Sequence, residues 1–232
     1  MQLFSFHDRL AEDALLLPGI NLEHVTMRAG HQTSTATLEP HRLRRELLAV
    51  LIGDVAGYSQ MIERNDVDTV VRLRHLRRHL VEPATAARGG RVVRFVGDSM
   101  FAAFGDVVAA VDCAIAIQRG VRLLNRGITS TLHLRLRIGI SFGAALVEAD
   151  GDLHGPAVNI AARLETLAEP GGIYLTGAAF DRLAGQTGPR CEALGLHSLR
   201  HITEPVRVYR VVRSELLARR PVRSAQELLA AE

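Results

Sequence analysis

The chain has 232 residues, 47% of them hydrophobic and 23% charged, with a formal net charge of +3. That length suits one main domain with trimmings, and the composition excludes a disordered, collagenous or coiled-coil chain. All 28 basic residues are arginine, which excludes Schiff-base lysines, a P-loop lysine and a Ser-Lys dyad. So small a net charge is a poor argument for nucleic acid. No apolar run reaches the roughly 18 residues of a spanning helix, and the opening MQLFSFHDRL carries charges where a signal peptide needs apolar residues. The expectation is a soluble cytoplasmic protein with no membrane insertion and no nucleic-acid partner. Cys113 and Cys191 have no metal-ligand spacing and read as reduced thiols.

In chain order, residues 1–44 lack sustained periodicity and read as an extension or linker with room for one short helix. The apolar run Glu46 to Ile52 ends in Gly53-Asp54, the pattern of a strand buried on both faces in mid-sheet. From Asp66 to Glu82, Val70, Leu73, Leu76 and Leu80 recur at helical spacing against Arg72, Arg74, Arg77 and Arg78, with the stop at Pro83 or soon after it. Residues 91–105 read as two strands around a Gly97-Asp98 turn. Asp106 then caps a helix running to about Leu124.

Leu132 to Phe142 alternates strictly, apolar against His133, Arg135, Arg137, Gly139 and Ser141. That predicts a strand with one buried face, followed by a partner strand at Ala144 to Glu148. Pro156 opens a helix to Leu167. Strands at 173–175 and 206–212 flank a helix near 178–183, and the tail from 213 is polar with an amphipathic turn at 227–231. The alternation predicts an α+β fold, a ferredoxin-like split βαβ (βαββαβ) sheet with helices on one face and C-terminal additions.

Asp54 and Asp98 stand at the ends of adjoining predicted strands, a placement that can converge two carboxylates on a hard cation held jointly with phosphate oxygens. Singly, each reads as turn punctuation. Asn159 and Arg163, four apart, share a helical face. Asp150, Asp152 and Gly155 mimic an EF-hand opening but lack its closing Glu, and His75 and His79 lie i, i+4 without an HExxH frame. Both read as solvated surface.

The segments LLAVLIGDVAGYS, GGRVVRFVGDSMFAAFGDVV, LRIGISFGAALVEADGDLHGPAVNIAARLE and ITEPVRVYRV together resemble the class III nucleotidyl cyclase catalytic domain, and most of all its bacterial adenylate cyclase branch. The resemblance covers about residues 45–212, leaving 1–44 as an extension and 213–232 as a tail. It implies conversion of ATP to 3′,5′-cyclic AMP and pyrophosphate. Asp54 and Asp98 would hold two Mg²⁺ or Mn²⁺ ions, and Asp152 would accept from the adenine amino group. Asn159 would orient the ribose and Arg163 stabilise the transition state. It also implies a homodimer whose active sites are shared, with the aspartates of one chain facing Asn159 and Arg163 of the other.

One position departs from the family pattern. The base-reading lysine is Arg94 here, and a guanidinium can also pair with guanine O6 and N7, so GTP stays open beside ATP. Arg94 also motivates a rival reading, a catalytically weak or silent nucleotide-binding dimer. An RNA-binding sheet is the third reading, and it lacks the paired sheet aromatics such a surface needs.

Overall fold

The computed structural model describes residues 43–129, 132–183 and 188–217, all within one compact unit that begins at Pro40. The short helix expected within 1–44 and the turn at 227–231 lie outside the described residues. Strands β1 (Arg44–Val55), β2 (Arg91–Val96), β3 (Ser99–Phe104), β4 (Leu136–Val147), β5 (Leu153–His154), β6 (Ile173–Thr176), β7 (Cys191–His197) and β8 (Val206–Val211) form one mixed sheet. Its order is β2-β3-β1-β4-β6-β8-β7, with β5 paired to β4. Helices are α1 (Tyr58–Arg64), α2 (Asp66–Leu76), α3 (Glu82–Ala86), α4 (Val107–Leu124), α5 (Pro156–Leu167), α6 (Gly177–Leu183) and α7 (Arg213–Leu217).

The apolar run of β1 is central, as expected, and antiparallel to both β3 and β4. Its register puts Asp54 directly opposite Arg137, and Gly53 opposite Met100. Ala49, Leu51 and Val55 face one core with α2, α4 and α6, while Val50 and Ile52 face a second core with Ala157, Val158 and Ala161 of α5. The fold class is α+β as expected, but the expectation of helices on a single face fails for α5, which covers the opposite side.

The residues of β4 explain this. Leu136, Ile138 and Ile140 enter the α4 core, whereas Arg137, Gly139 and Ser141 face α5. A Cβ on Gly139 would lie 2.3 Å from the Ala161 carbonyl and 2.4 Å from the Glu165 amide nitrogen, so α5 rests on bare strand backbone. Ser141 Oγ donates to the Ala157 carbonyl at 2.6 Å. Small residues that read as a solvated face are instead a helix seat.

Two other expectations change. The separate strand at Ala144 to Glu148 is the continuation of β4, because all twelve of its residues pair with β1 and no turn interrupts them. Residues 132–135 precede the strand. The helical path ends soon after Pro83, as expected: a π turn at Arg77–Val81 leads into α3, which carries Pro83 near its start and stops at Ala86.

Candidate active site

Asp54 ends the buried run of β1 and is only 7% exposed. A buried carboxylate needs an answering charge, and its register partner supplies one. Arg137 Nε donates to Asp54 Oδ1 at 3.0 Å and its terminal nitrogen to Oδ2 at 2.5 Å, a two-pronged pairing. The hydrogen bond to Asp54, foremost, raises the Arg137 pKa.

Asp98 sits at the tip of the β2–β3 hairpin, where Gly97 takes a left-handed φ of 56°. Asp98 Oδ2 accepts from the Val55 backbone N–H at 3.2 Å, one residue beyond Asp54. Burial raises the Asp98 pKa, and the Asp54 charge adds to the shift. The two aspartates therefore lie together, close enough for each to feel the other's charge. Arg77, from the π turn, fixes the hairpin by donating to the Gly97 carbonyl and covering the Phe95 ring at 4.6 Å.

A third carboxyl group completes this corner. Glu165 of α5 is fully buried, with Oε1 3.3 Å from Arg137 Nε. Burial, then its hydrogen bond to Asp54 and the Asp54 charge, push the Glu165 pKa up to about 9, while Arg137 opposes the shift. The carboxyl group thus keeps its proton at neutral pH and can share it with Asp54. Sequence reasoning missed Arg137 and Glu165. The signal for Arg137 was a charged residue on the face of the alternation that Gly139 and Ser141 continue, directly before those small residues. Glu165 lay at the helix spacing of Val158, Ala161 and Leu164, which are buried with it.

The other expected residues form a second group. Arg94 of β2 donates to Asp152 Oδ1 and lies 4.7 Å over the Phe101 ring. The Leu153 amide donates to the same oxygen at 2.8 Å. His154 Nε2 stands 2.8 Å from Glu148 Oε1 and 3.8 Å from Asp152 Oδ2. Arg94 and Asp152 side chains are about a third exposed, at 35% and 29%, so a planar ligand can reach both.

Asn159 is exposed on α5, and Arg163 Nε donates to the Arg200 carbonyl at 3.2 Å. Residues 163 and 165 point about 200° apart around a helix. Arg163 therefore leaves the aspartate corner behind it. Within one chain the structure brings Asp54 to Asp98 and Arg94 to Asp152, and it does not bring Asn159 or Arg163 to the aspartates.

Among the described residues no group of three or more His, Cys, Asp or Glu forms a metal cage. Two adjoining aspartates nevertheless fit a hard divalent cation that takes its other ligands from water and phosphate. No helix among the described residues is long and apolar enough to cross a membrane.

A sequence model of the adenylate and guanylate cyclase catalytic domain matches residues 43–211. The chain belongs to that family. It is 35% identical over 167 residues to putative adenylate cyclase 3 of Rhizobium meliloti, covering 72% of this chain and 28% of that protein. An uncharacterized protein of Mycobacterium bovis is 32% identical over 163 residues, which cover 68% of this chain and 53% of that one. The chain thus spans between a quarter and about half of these two curated relatives.

Solved cyclases resemble it in three dimensions. The adenylate/guanylate cyclase/hydrolase of Silicibacter pomeroyi has a TM-score of 0.68 at 37% identity, covering 73% of this chain and 98% of that one. The adenylyl cyclase CyaB of P. aeruginosa has a TM-score of 0.65 at 27% identity, covering 73% and 95%.

Proposed function

We propose that residues 45–212 form the catalytic domain of an adenylate cyclase that converts ATP to 3′,5′-cyclic AMP and pyrophosphate. Residues 1–44 and 213–232 would flank it as extension and tail. The observation that carries the reading is the separation of two half-sites on one chain: paired aspartates at the end of β1, and Asn159 with Arg163 turned away from them on α5. A second copy, arranged head to tail, would bring the halves together. The names borne by the relatives support ATP as substrate.

In this reading Asp54 and Asp98 hold the divalent cations, which are Mg²⁺ or Mn²⁺ and two per site. Bound there, such ions supply charge neutralisation of the triphosphate and acidify the ribose 3′-hydroxyl. The chain's own groups do the rest. Asp152 Oδ2, opposite the oxygen taken by Arg94 and the Leu153 amide, accepts from the adenine amino group, and Arg94 donates to the ring. Asn159 orients the ribose so that its 3′-oxygen lines up with the α-phosphorus. Arg163 offers a permanently charged fork to the phosphoryl oxygens as the P–O bond to pyrophosphate breaks.

Purified protein incubated with ATP and, in parallel, GTP, each with Mg²⁺ or Mn²⁺, should yield cyclic AMP and an equal amount of pyrophosphate. Tight nucleotide binding without cyclic product would overturn the reading. Shared sites have their own test: mixing inactive Asp54→Ala and Arg163→Ala chains should restore activity, and no recovery despite subunit exchange would refute sharing. One observation favours a second reading, a cyclase that uses GTP. Arg94 is a guanidinium, and it is held edge-on by Asp152 and from its face by Phe101. The GTP arm decides it.

A further inference from the structure

The chain between β4 and β5 closes as a tight hairpin. The Glu148 amide donates to the Asp152 carbonyl at 2.9 Å, the Gly151 amide donates to the Glu148 carbonyl at 3.0 Å, and Gly151 turns at a left-handed φ of 90°. Val147 pairs with Leu153, and Leu146 with His154. Side chains alternate along a strand, so buried Val147 and Leu153 turn inward. Glu148, Asp152 and His154 share the outer face.

That face sets two carboxylates across from each other, an arrangement that repels. Arg94 and the Leu153 amide both donate to Asp152 Oδ1. His154 Nε2 lies 2.8 Å from Glu148 Oε1 and 3.8 Å from Asp152 Oδ2. With a carboxylate oxygen at 2.8 Å, Nε2 carries a proton, since an ionised carboxylate only accepts. The imidazole therefore stands a small rotation from Asp152 Oδ2 but sits against its other neighbour. Two donors already draw on the Asp152 charge, which leaves Glu148 the stronger acceptor. Among the described residues no hydrogen bond reaches Asp152 Oδ2. The His154 side chain is 49% exposed, so packing leaves the ring free to turn and Glu148 holds it.

We propose, on the reading of Asp152 as the acceptor of the base, that Glu148 is a positioning residue for purine selection. It holds the His154 imidazole off Asp152 Oδ2 and keeps that oxygen open to an exocyclic amino group. Without Glu148, the His154 N–H turns to Oδ2 and takes the place of the adenine amino group. Guanine loses less, because it presents the acceptor O6 where adenine presents an amino donor. A bare carboxylate repels O6, and an N–H beside that carboxylate lessens the repulsion. The effect falls on recognition of the base and leaves the chemical step alone.

The test measures KM and kcat of the full chain for ATP and GTP at one pH, and by calorimetry the Kd of 3′-deoxy-ATP, which lacks the hydroxyl needed to cyclise. In Glu148→Ala the KM for ATP and the Kd should both rise on the order of tenfold, with kcat unchanged and a lower ATP-to-GTP ratio of kcat/KM. Adding His154→Ala should bring all three back toward wild type. Unchanged affinity in Glu148→Ala, or equal weakening in the double variant, would overturn the proposal. Absence of cyclic product with this binding pattern intact would refute the cyclase reading alone; a flat binding pattern in an active enzyme would refute the role of Glu148 alone; no binding of nucleotide would refute both. Glu148→Gln removes the charge but keeps an acceptor, and should show a smaller rise that His154→Ala again reverses, so a folding defect in Glu148→Ala leaves the comparison intact.

Discussion

At the end of β1 both oxygens of Asp54 are taken by Arg137, and buried Glu165 closes over the pair. Two residues away on the same helix, Arg163 donates to the Arg200 carbonyl, and Asn159 stands exposed. One face of α5 thus meets charges already matched within the chain, and the other offers donors that stability does not need. Inner-face changes should therefore show in folding, and outer-face changes in chemistry.

The sharpest contrast comes from Arg163→Ala. By the scale of arginines that neutralise phosphoryl transfer, turnover should fall about 10³-fold while the melting temperature stays at the wild-type value. A large loss of stability with it would break the division between the faces. Next is Gly139→Ala, whose new Cβ meets only backbone atoms of Ala161, Leu164 and Glu165 within 2.9 Å. Backbone cannot rotate aside, so urea denaturation should show a loss of about 1–3 kcal/mol.

Glu165→Gln tests the inner face by pH. The Glu165 pKa is raised from 4.5 to about 9, so the folded chain keeps a proton that the unfolded chain releases. The stability tied to that proton is complete below pH 4.5 and is lost as pH rises toward 9. The slope is at most about 1.4 kcal/mol per pH unit. Asp98, also raised, contributes in the same direction. Denaturation curves across this window should be flatter for Glu165→Gln than for wild type, and equal slopes would place the proton elsewhere. The smallest effect is expected from Arg94→Lys. Exchanging a fork for a point donor should raise the ATP-to-GTP ratio of kcat/KM by roughly fivefold, read in the parallel product assay.

Much of this was legible in the residues themselves. The Gly-Asp endings at 54 and 98, the Asp106 cap, which accepts from the Ala109 amide at 3.0 Å, and Pro156 opening α5 are local signals, carried by a few neighbouring side chains. What stayed hidden depended on contacts between distant segments. The alternation of Arg137, Gly139 and Ser141 marks two faces but not what covers the second, because a polar face turned to water and a seat for a helix both favour small or hydrophilic residues. Glu165 drew no notice because its burial comes from β1 and β4, far away in the chain. Strand β7 went unnoticed because its residues alternate weakly and, among them, Cys191 and Leu194 alone pack against core clusters. Pairing with β8 along an edge holds it in place.

The bare contact at Gly139 has a mechanical side. Most helices rest on a layer of side chains that can shift rotamer and absorb small displacements. Here carbonyl and amide groups of α5 lie against strand backbone, with no compliant layer between them. The helix is keyed to β4, and the positions of its outward residues are set by the rigidity of the sheet beneath.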